Sequence, residues 1–387
     1  MRVSTGSVES TSGRGTSFVD QGATMATAAV RAITAITLVA TALTGCSSKP
    51  QASPPRSGSV WVADEGHDSV SVIDAATNTV TMTLTGIKGP HNIQVGRDDS
   101  VVYAVSSAGL VVAIDPATYR VTATAPTGPH PAHVIDAPNG KVYVTNSGDG
   151  TVSVYQAPGL SPAGLIRLDG MPHGLRPAAG GSVIVVANTM DGALDLINPT
   201  TDTYEGAVPV GTGPAQVAVS GDGKYAYTGI SDPASIVKVD LAQRKVVGSA
   251  AVPNPPVQLY LTPDESQVVS ADQGKKDDQG HTLSVIDTKD MSTRGTVTTG
   301  AGPHGVVIDA SGDWAWVTKS YDNTVTAVDL ASLTAMTPIP VGTQPSGISY
   351  SPKSPAAVPA NVGTLDIPTP SASPTQTSQP DEHAGHH

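Results

Sequence analysis

Tyr143-Val144-Thr145-Asn146, followed by Gly150-Thr151-Val152-Ser153-Val154 and then Gly170-Met171-Pro172, forms one unit of a pattern that fills most of this chain. The unit holds a short run, a second alternating run, a third, and a proline that opens a fourth. Alternation with period two puts every second side chain on one face, which is the mark of a half-buried strand. The opening prolines recur as Pro90, Pro131, Pro172, Pro214, Pro256, Pro303 and Pro345, spaced by 41, 41, 42, 42, 47 and 42 residues. A repeat of about forty residues with four strands per unit predicts a β-propeller. The expected fold is therefore all-β: seven blades, each a four-stranded antiparallel sheet.

Other units carry the same signals. First runs include Trp61-Val62-Ala63-Asp64, Tyr103-Ala104-Val105-Ser106 and Trp316-Val317-Thr318-Lys319. The second run closes on Asp74, Asp115, Asn198, Asp240, Asp287 and Asp329, with Gln156 the exception. Such side chains cap a turn by accepting from backbone N–H groups two residues on, so most of these acids read as structural. Asn139-Gly140 and Asp222-Gly223 predict tight two-residue hairpins. With propeller strands lettered A (inner) to D (outer), each unit reads B, C, D, then A of the next blade. The first unit lacks its own A strand, and the stretch from Pro345 to Ser351 is spare. Pairing the two closes the ring and removes the open sheet edges. Loss of residues beyond Gln344 is then expected to destabilise the domain, whereas loss beyond Asn361 is not.

The 387 residues include 40 Gly and 32 Pro, with only 4% aromatic and 14% charged residues. That supply of small and β-branched side chains suits sheets stacked face to face. The net charge of −12 comes without a Lys/Arg stripe, which argues against nucleic acid as a partner, since that binding rests on phosphate neutralisation. Cys46 is the single cysteine, so no internal disulfide supports the fold.

The setting of Cys46 is informative. Arg31 precedes an apolar stretch, residues 32–43, that is short for a spanning helix and ends in Leu43-Thr44-Gly45-Cys46. This resembles the bacterial lipobox, which implies lipidation of Cys46 and an exported domain anchored to the cell membrane. Met25 makes a more conventional signal start than Met1. The expected division is residues 1–45 as signal peptide, 46–59 as lipidated Cys and flexible Ser/Pro-rich spacer, and 60–353 as propeller. Residues 354–387 are expected to be a disordered Pro/Ser/Thr-rich tail with a His-rich end. A monomer is expected.

Tyr143-Val144-Thr145-Asn146 with Gly150-Thr151-Val152-Ser153-Val154 also resembles the YVTN-family β-propeller repeat, and the likeness extends over the seven units. It marks the fold strongly and the activity weakly.

In a propeller the D–A connections and the B–C loops open on one face around the central channel. Directly after the opening prolines stand His91, Ala132, His173, Ala215, Val257, His304 and Ser346, and the next positions include Asn92, His133, Gln216 and Gln258. His91, His133, His173 and His304 thus converge on the funnel face, where B–C loops bring Asp64, Glu65, Asp68, Asp149, Asp191, Asp278 and Asp322. Neutral imidazoles suit Cu or Zn, with carboxylates to complete the sphere. The same histidines also fit a plain role as the residue that follows proline in this repeat. His383, His386 and His387, beside Asp381 and Glu382, form a second candidate for Cu or Zn, or simply a solvated end.

No nucleophile elbow or phosphate loop is present. The leading expectation is a binding or interaction scaffold taking a protein or small-molecule ligand at the funnel face. The alternatives are a Cu/Zn-binding propeller, or a lactonase- or lyase-type enzyme with a funnel histidine as general base. For the enzyme, His304 with Asp322 or Asp278, or His91 with Asp64, would supply the pair.

Overall fold

Residues 141–167 show how one unit becomes sheet. Lys141–Asn146, Thr151–Gln156 and Ser161–Arg167 run antiparallel, and Pro131–Asp136 adds the inner strand. Val152 pairs with Thr145 and Val154 with Tyr143, so the apolar positions of the two strands share faces. The computed structural model describes residues 55–358 and 361–368. Cys46, residues 1–45, and His383, His386 and His387 lie outside the described residues.

Seven such sheets form a propeller ring. The inner strands are Pro345–Ser351 (blade 1), Ile93–Val95 (blade 2), Pro131–Asp136 (blade 3), Pro172–Pro177 (blade 4), Val217–Val219 (blade 5), Gln258–Leu261 (blade 6) and Pro303–Ile308 (blade 7). Proline opens the strand in blades 1, 3, 4 and 7. In the others the ladder starts two or three residues later. Closure follows the predicted route: Pro345–Ser351 pairs with Ser59–Asp64, with Val60 opposite Tyr350 and Val62 opposite Ile348.

Adjacent blades share seven apolar clusters among the described residues, one at each blade-to-blade junction. Trp61, Val72 and Ile114 fill the junction of blades 1 and 2, and Trp316, Val60 and Ile348 fill that of blades 7 and 1. Both sheet faces are covered, and each fully buried Val or Ile contributes about 1.5–3 kcal/mol.

The turn chemistry is as predicted at the C–D connections. Ala76, Ala117, Thr200, Lys289 and Ala331 donate backbone N–H groups to the side chains of Asp74, Asp115, Asn198, Asp287 and Asp329 at 2.8–2.9 Å. Asp240 accepts one residue further on, from Gln243 N–H. The hairpins differ. Gly140 and Gly223 have positive φ (76° and 71°), but Asn139 and Asp222 do not, and Gly140 N–H closes onto Ala137 O. A two-residue type I′ turn needs positive φ at both central residues, so these turns are one step longer than expected.

The tail also departs from expectation. Val362–Thr364 forms a strand parallel to Thr79–Thr85, the outer strand of blade 1. Leu365 is buried in the cluster between blades 1 and 2, and Thr124 in blade 2 donates to Pro368 O. An open outer edge of sheet and an apolar Leu among Pro and Thr are enough to dock this segment, so residues 361–368 are ordered where disorder was expected.

Candidate functional site

Four inner strands or their entries carry the site. His91 precedes the blade 2 strand, His133 is third in that of blade 3, and His173 and His304 are second in those of blades 4 and 7. Rigid strands converging on one axis hold side chains in place better than loops would. The His91 ring lies 5.7, 5.3 and 5.9 Å from the rings of His133, His173 and His304, and the His133 and His173 rings are 4.8 Å apart. One ligand atom from each of His91, His133 and His173 falls within 4.8 Å of the others.

Partners set the proton positions. His91 Nδ1 is 3.0 Å from Glu65 Oε2, and His173 Nδ1 is 2.8 Å from Ala215 O. Carboxylate and carbonyl accept, so both rings carry the proton on Nδ1 and leave Nε2 with a lone pair. His133 Nδ1 faces the Gln216 amide nitrogen at 3.3 Å, while Gln216 Oε1 accepts from Val217 N–H. Among the described residues, buried His91 Nε2, His133 Nε2 and His304 Nδ1 have no protein partner. Buried polar atoms left this way are rare and ask for a ligand, ion or water.

Burial, with the neighbouring imidazoles and the Arg176 charge adding repulsion, holds His133 well below the usual histidine range. Burial and the neighbouring imidazoles bring His173 down to about 4 and His304 to about 3. These rings are neutral near pH 7, as metal ligation requires. Burial would raise the Glu65 carboxyl, but the hydrogen bond with His91 and the attraction of that ring outweigh it and hold it low. A cavity of about 180 Å³ opens above the cluster, lined by Glu65, His91, His130, Ser147 and His173 among others.

The acid–base pairs expected from sequence are not formed. Asp64 is the last residue of its strand, and its side chain turns along the sheet to accept from Ser69 and Ser71 hydroxyls at 3.0 and 2.7 Å. Glu65, one residue on, starts a 3-10 turn and reaches the channel, so it is the carboxylate that meets His91. Asp322 accepts from Ala301 N–H and sits 4.0 Å from Lys319 Nζ, and Asp278 lies in the long hairpin of blade 6. Neither bonds His304. Gln216 was visible in sequence only as one member of a column. Its orientation toward His133 depends on two blades meeting across the channel, which no local pattern records.

Seven four-stranded blades, closed by the C-terminal inner strand around a histidine-lined channel mouth, define a seven-bladed β-propeller. No family model matches the chain, and neither does any curated protein. Among solved structures it is similar to hydrazine synthase of Kuenenia stuttgartiensis at 20% identity, over 70% of this chain and 92% of that one, with a TM-score of 0.63. It is also similar to a protein of unknown function from Desulfotomaculum acetoxidans at 13% identity, covering 76% and 99% of the two chains, with a TM-score of 0.67. A third is a protein proposed to be a 6-phosphogluconolactonase from Bacteroides fragilis, at 17% identity over 78% and 100%, with a TM-score of 0.64. At these identities the likeness concerns the fold alone.

Proposed function

We propose that this protein is a cell-envelope lipoprotein of the YVTN-repeat type whose propeller binds a transition-metal ion, Cu or Zn, at the channel mouth. The observation that carries this is the trio His91, His133 and His173, the second buried and the other two half-buried, with ligand atoms gathered within 4.8 Å and two Nε2 atoms lacking a protein partner among the described residues. Glu65 behind His91 and Ala215 O behind His173 supply the backing that orients metal-bound imidazoles. His304 stands beside them as a further nitrogen donor. For His133 to ligate through Nε2 its proton must move to Nδ1, and the Gln216 amide must turn over to accept it. Lipidation of Cys46 would place the domain outside the cytoplasm, on the membrane.

The test is metal content of the full-length protein carrying His383→Ala, His386→Ala and His387→Ala, after exposure to Cu or Zn and exhaustive dialysis. About one equivalent is expected, lost on adding His91→Ala and His173→Ala. Glu65→Gln is expected to weaken the affinity by about 10–100-fold. Retention of the metal in the doubly substituted cluster would overturn the assignment.

One contact favours a second reading. The His91–Glu65 pair has the form of an oriented general base, as a lactonase or lyase would need. In that case metal-free protein would turn over a lactone panel, and His91→Ala alone would abolish it.

A further inference from the structure

The other end of the channel carries a charge without a counter-ion. Arg176 is the fifth residue of the blade 4 inner strand, three positions past His173, and therefore about 10 Å along the strand from that histidine. Its guanidinium makes one hydrogen bond, from Nη1 to Leu175 O at 3.1 Å, and lies 5.9 Å from the centroid of the Tyr260 ring. Among the described residues no carboxylate lies within ion-pair distance of it. Around it is a cavity of about 150 Å³, walled by Pro177, Ala218, Val219, Leu259 and Leu261, with Tyr260 on one side. These residues come from the inner strands of blades 4, 5 and 6, so the cavity belongs to the channel.

A half-buried lysine can shed its proton to escape such a setting, but a guanidinium does not. Arg176 is half-buried in a cavity open on one side, and the planar N–H fork of arginine matches the two oxygens of a carboxylate or phosphate. The remaining wall offers apolar surface and one aromatic face. The size, the single cation and the apolar wall together describe a ligand with one oxyanion head and a compact apolar body.

We propose that this end of the channel binds a small organic anion, its carboxylate or phosphate head on Arg176 and its body against Tyr260 and the Leu259–Leu261 wall. The site shares no residue with the histidine cluster, although the Arg176 charge reaches His133.

The experiment is a titration of the full-length protein, followed by NMR or calorimetry, with benzoate, phenyl phosphate, inorganic phosphate and benzyl alcohol. Benzoate or phenyl phosphate is expected to bind with Kd on the order of 1 mM, as suits so few atoms. Whichever binds more tightly identifies the head group. Arg176→Gln is expected to weaken that binding by about tenfold or more, and Tyr260→Phe to keep it. His91→Ala should leave it unchanged, which separates this site from the metal reading. Equal binding of benzyl alcohol, unchanged affinity in Arg176→Gln, or no binding of either aromatic anion would overturn the proposal. Should Arg176→Gln fail to fold, Ala218→Leu, which fills the cavity while leaving the charge, serves instead and is expected to abolish binding.

Discussion

A polar residue at or near the end of strand B recurs as a staple. Asp64 accepts from Ser69 and Ser71, and Asn146 donates to Thr151 and Ser153. Asn188 donates to Asp195, and Asp272 accepts from Thr282 and Ser284. Each ties strand B to strand C from inside the blade. Blade 4 shows how little room this leaves: Gly170 has φ of 57°, and a Cβ there would run into Asn188 Oδ1 and Asp191 Oδ2. Burial raises the Asp272 carboxyl to about 6, against its three hydroxyl donors, from an ordinary 3.8. Raised in the folded state, this group favours folding when protonated. Its cost is absent below about pH 4, grows between the two pKa values and is complete above about pH 6. Two pKa units correspond to roughly 3 kcal/mol. Asp272→Asn should therefore gain stability relative to the parent on going from about pH 4 to about pH 7.5, measured by urea unfolding. A pH-independent difference would show that the carboxyl is not raised.

Strands at the two ends of the domain differ in what they close. Pro345–Ser351 completes blade 1 and buries Ile348 between blades 7 and 1, so its loss exposes a sheet edge and opens the ring. The strap at Val362–Thr364 only lengthens that sheet on its outer side, and its main apolar anchor is Leu365, 5% exposed. Ending the chain after Gln344 is expected to abolish cooperative unfolding. Ending it after Asn361 should lower stability by about 1.5–3 kcal/mol, the burial of one Leu, rather than leave it unchanged. Leu365→Ala should reproduce most of that smaller loss in a thermal melt. Equal melting temperatures for the two truncations would refute the closure argument.

At the scale of the whole molecule, the channel brings side chains from distant repeats together. His91 and His304 stand 213 positions apart in sequence, yet their rings are 5.9 Å apart because the ring closes. A bound ion held by several blades should stabilise the folded ring by mass action, about 2.7 kcal/mol at a hundredfold excess over Kd. The melting temperature should thus rise with Cu or Zn, and not when His91 and His173 are both Ala. The proposed anchoring rests on Cys46: Cys46→Ser is expected to move the protein from the membrane fraction to the soluble exported fraction. Finding both forms equally soluble would count against lipidation.

The repeat period, the blade number, the closing strand and the caps at Asp74, Asp115, Asn198, Asp287 and Asp329 were all legible in the sequence. They depend on alternation and on turn chemistry within a few residues, and each blade repeats them. The convergence of His91, His133, His173 and His304 was legible as two adjacent columns, since the repeat register fixes height along the channel. Only the tertiary structure decided that Glu65 rather than Asp64 backs His91, because one step past a strand end turns a side chain from sheet to channel. It alone also turned Gln216 toward His133, left Arg176 with no carboxylate partner among the described residues and docked Leu365. Those outcomes depend on which blades face each other across a closed ring, a relation set by packing between residues that no local pattern connects.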